Sequence, residues 1–215
     1  MIITIADGAG GAAKSILADN LAALRTLAGH KVILLDNDPQ LASLKWSCER
    51  RNNGHTVPIT ARKISGKGLQ PELENLRCHY QDIVIDSASR DCMGSRSALL
   101  AAHVAVIAVD LDQLDQLHEE ELLQRVEKAC AFNPGLRIMV VMSSVHIQPS
   151  PEKIALVRNF SQKFKSAQLF ARVIHSGYAL QLAYRDGLSI SEYLPADHLA
   201  VAGMQELFGA VFAAH

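Results

Sequence analysis

The 215-residue sequence has no long apolar run, no excess of either charge, no closely paired cysteines and no histidines spaced as metal ligands. Each absence removes a class of function. With 21 basic against 22 acidic residues the net charge is −1, so bulk attraction to nucleic acid is excluded and any such contact must come from a local patch. Cys48, Cys78, Cys92 and Cys130 form no CxxC pair, which argues against a zinc site or disulfide framework and predicts buried, reduced thiols. His103, His118, His146 and His175 are dispersed, and no HxH or HExxH occurs, so histidine ligation of a metal is not expected. The apolar stretch from Ala98 to Val109 is interrupted by His103 and falls short of the roughly 20 residues a membrane span needs. The opening Met1-Ile2-Ile3-Thr4-Ile5 lacks the basic region of a signal peptide, and together these features predict a cytoplasmic protein without membrane contact. No Pro/Gly/Ser-rich linker, repeat or low-complexity segment divides the chain, so one domain over 1–215 is expected. What is present, 49% hydrophobic and 20% charged residues, suffices for one good-sized core and excludes disorder.

Short β-branched runs alternate with longer segments of helical period. Strands are predicted at Ile2–Ala6, Val32–Leu35, Val57–Thr60, Ile83–Ile85, Val104–Val109, Arg137–Met142 and Leu169–Ile174. Helices are predicted at Lys14–Leu27, Leu41–Arg50, Gln70–Cys78, Ser95–Ala101, Leu114–Phe132, Pro151–Phe164, Tyr178–Arg185 and Leu199–Phe212. This rhythm implies an α/β fold: a doubly wound, mostly parallel sheet with helices on both faces, whose ligands bind beyond the carboxyl ends of the strands.

The first such end is Asp7-Gly8-Ala9-Gly10-Gly11-Ala12-Ala13-Lys14-Ser15. Small residues running into a helix start let backbone N–H groups approach an anion, so phosphate is the expected ligand class. Two templates fit. Gly8-x-Gly10-x-x-Ala13 with Asp36 matches a dinucleotide fingerprint, which would make the protein a nicotinamide-dependent oxidoreductase. Gly8 to Ser15 matches a Walker A loop with Ala13 in place of its last glycine, where a Cβ is costly if the backbone needs a positive φ. Lys14-Ser15 favours the second, because a triphosphate site needs an ammonium and a Mg²⁺-binding hydroxyl there. Asp36-Asn37-Asp38-Pro39-Gln40 adds two carboxylates after the second strand, and Ile83-Val84-Ile85-Asp86 is an apolar strand ending in an acid, the Walker B arrangement.

With these residues the sequence resembles the ParA/MinD superfamily of deviant Walker A ATPases. The resemblance rests on Gly10 to Ser15, on Asp36 to Gln40 with Trp46 nearby, on Asp86, and on Tyr184-Arg185-Asp186-Gly187-Leu188-Ser189-Ile190-Ser191-Glu192. It implies a P-loop ATPase fold binding ATP and Mg²⁺, with Gly8, Gly10, Gly11, Ala12 and Ala13 cradling phosphate. It further implies that Lys14 binds the β- and γ-phosphates, Ser15 binds Mg²⁺, Asp36 and Asp86 stand in or behind the metal's ligand shell, and Asp38 positions or deprotonates the attacking water. By the same resemblance the protein would form a homodimer on nucleotide binding, would be stimulated by a partner protein, and would partition or position DNA or a large cargo. The lysine that the family places before the double glycine, and that reaches the partner's phosphates, is Ala9 here, so weak intrinsic hydrolysis is expected. A degenerate scaffold that binds nucleotide poorly is the rival within the family.

Late basic residues suggest a surface for sequence-independent DNA contact, with Lys153, Arg158 and Lys163 the candidates, although a spacing of five spreads them around a helix. Asp110, Asp112 and Asp115 are expected to cap the following helix together with Glu119 to Glu121. The final helix, with Leu199, Met204, Leu207, Phe208, Val211 and Phe212 at helical spacing and no basic residues on its polar face, is expected to pack on the core.

Overall fold

A computed structural model describes residues 1–10, 12–54 and 57–213. Eight strands, β1 (Ile2–Ala6), β2 (Val32–Asp36), β3 (Thr60–Lys63), β4 (Asp82–Asp86), β5 (Val104–Asp110), β6 (Arg137–Ser144), β7 (Ala167–Leu169) and β8 (Ile174–His175), form one sheet. The order is β3-β2-β4-β1-β5-β6-β7, with β8 also paired to β6, and every pairing is parallel. Among the described residues six α-helices connect successive strands, α1 (Ala12–Leu27), α2 (Ala42–Asn53), α3 (Leu69–Leu76), α4 (Met93–Ala101), α5 (Glu119–Phe132) and α6 (Pro151–Gln162), and two more, α7 (Tyr178–Arg185) and α8 (His198–Phe212), follow β8.

The period-two alternation of the strands decides which helix covers which face. Ile3, Ile5, Leu34, Val84, Val106 and Val141 point toward α1, Trp46 of α2, Leu180 of α7 and Met204, Leu207 and Val211 of α8. Their neighbours in sequence, Ile2, Ile33, Ile85, Ile107 and Val140, point to the other face, under α3, α4, α5 and α6. The final helix thus packs on the core as its apolar spacing predicts. No helix among the described residues is long and apolar enough to cross a membrane.

Three local expectations are corrected. None of the four cysteines is fully buried: Cys48 and Cys78 are exposed and Cys92 and Cys130 half-buried, because each sits on the outer side of a helix or at its end rather than under the sheet. The predicted strand over Leu169–Ile174 is broken into β7 and β8, since β6 is paired at Ile138–Val140 by one piece and at Ser143–Ser144 by the other. Asp110 and Asp112 do not cap α5. Asp110 accepts the Asp112 N–H and so fixes the turn after β5, and Asp112 accepts the Val145 N–H and the Ser144 hydroxyl, tying the exits of β5 and β6 together.

Candidate functional site

The sheet order places β2, β4 and β1 side by side, so the loops following these three strands share one rim. Asp36 and Asp86, the last residues of β2 and β4, are register partners, and Ile5 of β1 pairs with Asp86 on its other side. The first turn of α1 rises over them and points Lys14 and Ser15 back at β4. Lys14 Nζ donates to Asp86 Oδ1 at 2.5 Å and lies 3.4 Å from Asp38 Oδ2. Ser15 Oγ donates to Asp86 Oδ2 at 2.6 Å, and Ser43 Oγ of α2 reaches the same oxygen at 2.8 Å. The starts of α1 and α2 therefore meet on the carboxylate that ends β4.

Lys14 is only 1% exposed. Burial alone would lower its pKa, but Asp86, Asp7 and Asp38 outweigh it and hold the ammonium above its ordinary value. Asp36 is placed differently from a freely available ligand: Oδ1 accepts the Asp38 N–H at 3.0 Å and Oδ2 accepts the Leu44 N–H at 2.9 Å, fixing the Asp36-to-Gln40 loop against the start of α2. Its pKa is pushed up to about 6, mainly by burial and further by Asp86, against the pull of those two N–H bonds. Since both oxygens are engaged and the residue is fully buried, Asp36 is unsuited to grip a ribose, and the dinucleotide reading loses the acid it requires. Asp38 keeps one oxygen on the Gln40 N–H and turns the other toward Lys14.

The loop itself fits a nucleotide phosphate. Gly10 has φ +79° and nothing within 4 Å of where a Cβ would stand, an open cradle whose backbone conformation favours glycine. Ala12 and Ala13 lie inside α1, and Leu41 is the one non-glycine residue with positive φ among those described, so alanine at position 13 carries no backbone strain. Gly11 lies outside the described residues. Gly8 is packed on α5, where a Cβ would come within 3.1 Å of Leu117 and 3.2 Å of Leu122. The donor set is also right for Mg²⁺, a hard cation that takes a hydroxyl and one or two carboxylates and completes its shell with water and phosphate. No three His, Cys, Asp or Glu side chains among the described residues form a cage that would hold a metal unaided. Ser15 and Asp86 would hold the ion with the nucleotide's own oxygens.

Several neighbours carry no pattern visible in the sequence. Asp19 of α1 is 0% exposed, neither of its carboxylate oxygens has a hydrogen bond, and burial next to Asp86 raises its pKa well above the ordinary value. The Ser43 hydroxyl pulls that value down in part, but the bond it makes is to Asp86. Arg125 of α5 is 5% exposed and donates to the carbonyls of Asp7 and Ser89 at 2.7 and 2.8 Å, joining the start of the phosphate loop to the loop after β4. Leu41, with φ 54°, turns the Asp36-to-Gln40 loop into α2 and is the kind of strained backbone that concentrates at functional sites. An isolated Asp or Arg in an amphipathic helix reads as surface, and only the fold shows these two inside.

The late segment, Tyr184 to Glu192, docks on α2. Trp46 is buried and its indole N–H reaches the Leu188 carbonyl at 3.3 Å, while Arg50 forms a two-pronged pair with Glu192 at 2.8 Å on each oxygen. Of the late basic residues, Lys153 lies 3.9 Å from Asp112 and Lys163 2.5 Å from Glu119, so acids offset two of the three. Arg158 is exposed on α6.

Comparison with known proteins agrees with this fold. No curated protein matches the sequence. Among solved structures, an ATP-bound variant of McdA from Cyanothece superposes with a TM-score of 0.75 at 17% identity, covering 100% of this chain and 97% of that one. Cobyrinic acid a,c-diamide synthase from Mycobacterium smegmatis, with an ATP analogue and magnesium, gives 0.73 at 14% identity, covering 98% and 93%. The cell division ATPase MinD of Pyrococcus furiosus gives 0.69 at 19% identity, covering 98% and 97%. At these identities the likeness establishes the fold. The family model of the CobQ/CobB/MinD/ParA nucleotide binding domain matches residues 3–186, and the chain belongs to that family.

Proposed function

We propose that this protein is a ParA-like ATPase switch: it binds Mg²⁺–ATP at the β1–α1 loop, dimerises in that state, hydrolyses slowly, and so positions DNA or a large protein cargo with a stimulating partner. The observation that carries the reading is the convergence of Lys14, Ser15 and Ser43 on Asp86 at one rim of the sheet, with Asp38 on the far side of the Lys14 ammonium. Such a cluster is held ready for exchange. Lys14 would trade Asp86 for β- and γ-phosphate oxygens, and the Asp86 oxygens so released would join the Ser15 hydroxyl around Mg²⁺. The bound nucleotide supplies the scissile phosphoanhydride, and charge neutralisation and positioning supply the rest. Asp38 Oδ2, the oxygen not held by the Gln40 N–H, is the one that would orient a water or take its proton. Asp36 would act through the loop it fixes. The uncharged Ala9 leaves the phosphate loop without a cation at its tip, which supports slow turnover.

Asp38→Ala tests this reading. It should spare ATP binding, slow hydrolysis at least tenfold and accumulate dimer in light scattering with Mg²⁺–ATP, because the phosphate contacts of Lys14 do not depend on Asp38. Unchanged turnover would remove Asp38 from the mechanism, and a monomer at saturating ATP would remove the switch.

A further inference from the structure

The charges around the phosphate loop do not balance for a triphosphate. The Lys14 ammonium is already shared between Asp86 and Asp38, and Asp7, buried just beyond β1, adds a further acid. A Mg²⁺ ion offsets part of the charge of ATP, and the terminal phosphate still needs a donor of its own. Ala9 supplies none.

Beside the loop lies a cleft of about 290 Å³ lined by Gly8, Ala9, Gly10, Ser89, Arg90 and Arg125, among others. Arg125 is committed, its guanidinium spanning the Asp7 and Ser89 carbonyls. Arg90 is not. It is exposed, and its guanidinium makes no hydrogen bond or ion pair among the described residues. The neighbouring acid, Asp91, is taken by Arg96 in a two-pronged pair at 2.7 and 2.5 Å and so does not neutralise Arg90. One competing acid, Glu121, lines the same cleft. The clamp by Arg125 on Ser89 fixes the residue immediately before Arg90 against the phosphate loop, so a charged fork on a flexible stem is anchored next to the loop that would receive the anion.

We propose that Arg90 is the specificity-determining residue of the site, the donor that recognises the terminal phosphate and lets the protein tell a nucleoside triphosphate from a diphosphate. Arg125 is its positioning residue. The inference rests on the Mg²⁺–nucleotide reading above and adds which side chain makes that site sensitive to the nucleotide's phosphorylation state.

The test is calorimetric titration of wild type, Arg90→Ala and Arg90→Lys with AMPPNP and with ADP, each with Mg²⁺. A charge-assisted contact to the terminal phosphate predicts that Arg90→Ala weakens AMPPNP binding by about tenfold or more while ADP affinity changes less than about twofold. Arg90→Lys should fall between, keeping the charge and losing the fork. The thermal midpoint should not move, because the side chain is exposed and its guanidinium makes no hydrogen bond or ion pair among the described residues. Equal losses for both nucleotides, or no loss for either, overturn the assignment of Arg90 and leave the nucleotide site standing. A wild-type protein that binds neither nucleotide overturns the nucleotide reading and this inference with it.

Discussion

Removing the Lys14 ammonium would leave the Asp86 carboxylate fully buried with hydroxyl donors and no charge in contact. Lys14→Ala should therefore destabilise the protein by about 3–5 kcal/mol, the usual result of stranding one member of a buried pair, read by urea denaturation at neutral pH. Asp19 and Asp36 act in the opposite direction. Both have folded-state pKa values raised above the unfolded value, so the folded protein binds more protons than the unfolded chain in the window between the two. Stability is then full below about pH 4 for these two groups and falls as pH rises, for Asp36 through about 6 and for Asp19 over a wider range. Asp19→Asn, which removes the charge and keeps the shape, should raise stability by about 1–3 kcal/mol at pH 8 and flatten the decline as pH rises above about 4. An unchanged profile would mean that Asp19 does not carry the effect. At this scale the sequence pointed to Lys14, Ser15, Asp38 and Asp86 by type and spacing, and the fold brings them together. It concealed Asp19, Leu41 and Arg125, whose importance comes from burial and backbone angle and leaves no local pattern.

Elements were legible wherever apolar periodicity is strong, as in β1, β5 and α1, and faded where long-range contacts set the boundaries. β3 was expected around Val57 because valine favours strands, but the strand is Thr60–Lys63, a polar edge whose register is fixed by β2 through Ile33 opposite Thr60. The run from Leu114 to Phe132 looks like one helix and is a 3-10 turn, Leu114–Gln116, followed by α5. The interruption has a tertiary cause: the His118 N–H donates to the Gly8 carbonyl, so the chain breaks its helix to hold the phosphate loop. The α2 contact with the late segment gives a prediction at the same scale. Gly187 has φ +70°, and a Cβ there would stand 2.1 Å from the Arg50 backbone nitrogen. Gly187→Ala should therefore cost more than about 2 kcal/mol and loosen the segment over α2. The sole tryptophan, Trp46, reports directly, since its indole bonds Leu188 and its emission should shift to the red as the segment lifts. Native-like Trp46 emission and stability in the variant would show that the docking is not set by this close approach.

For the molecule as a whole, the neighbouring β2, β4 and β1 bring separate motifs together at one rim; the parallel sheet follows from the alternation of strands and helices in the sequence, whereas the order of its strands does not. The sequence offers less on partners, because net charge is near zero and recognition surfaces have no period. If DNA is the matrix, binding should be independent of sequence and fall steeply with salt, and Arg158→Glu should weaken it more than Lys153→Glu or Lys163→Glu, since acids already offset those two lysines. Gel shifts on unrelated duplexes with nucleotide present would show the ranking, and equal effects at the three positions would contradict it. The central claim, that the carboxyl ends of β1, β2 and β4 form a Mg²⁺–nucleotide site, is tested most directly by titrating the purified protein with ATP, with and without Mg²⁺, beside Lys14→Ala and with NADH as the competitor reading. The account predicts saturable, Mg²⁺-assisted ATP binding that Lys14→Ala weakens at least tenfold, and no saturable NADH binding. ATP binding indifferent to Lys14, or NADH binding that survives its removal, would contradict it.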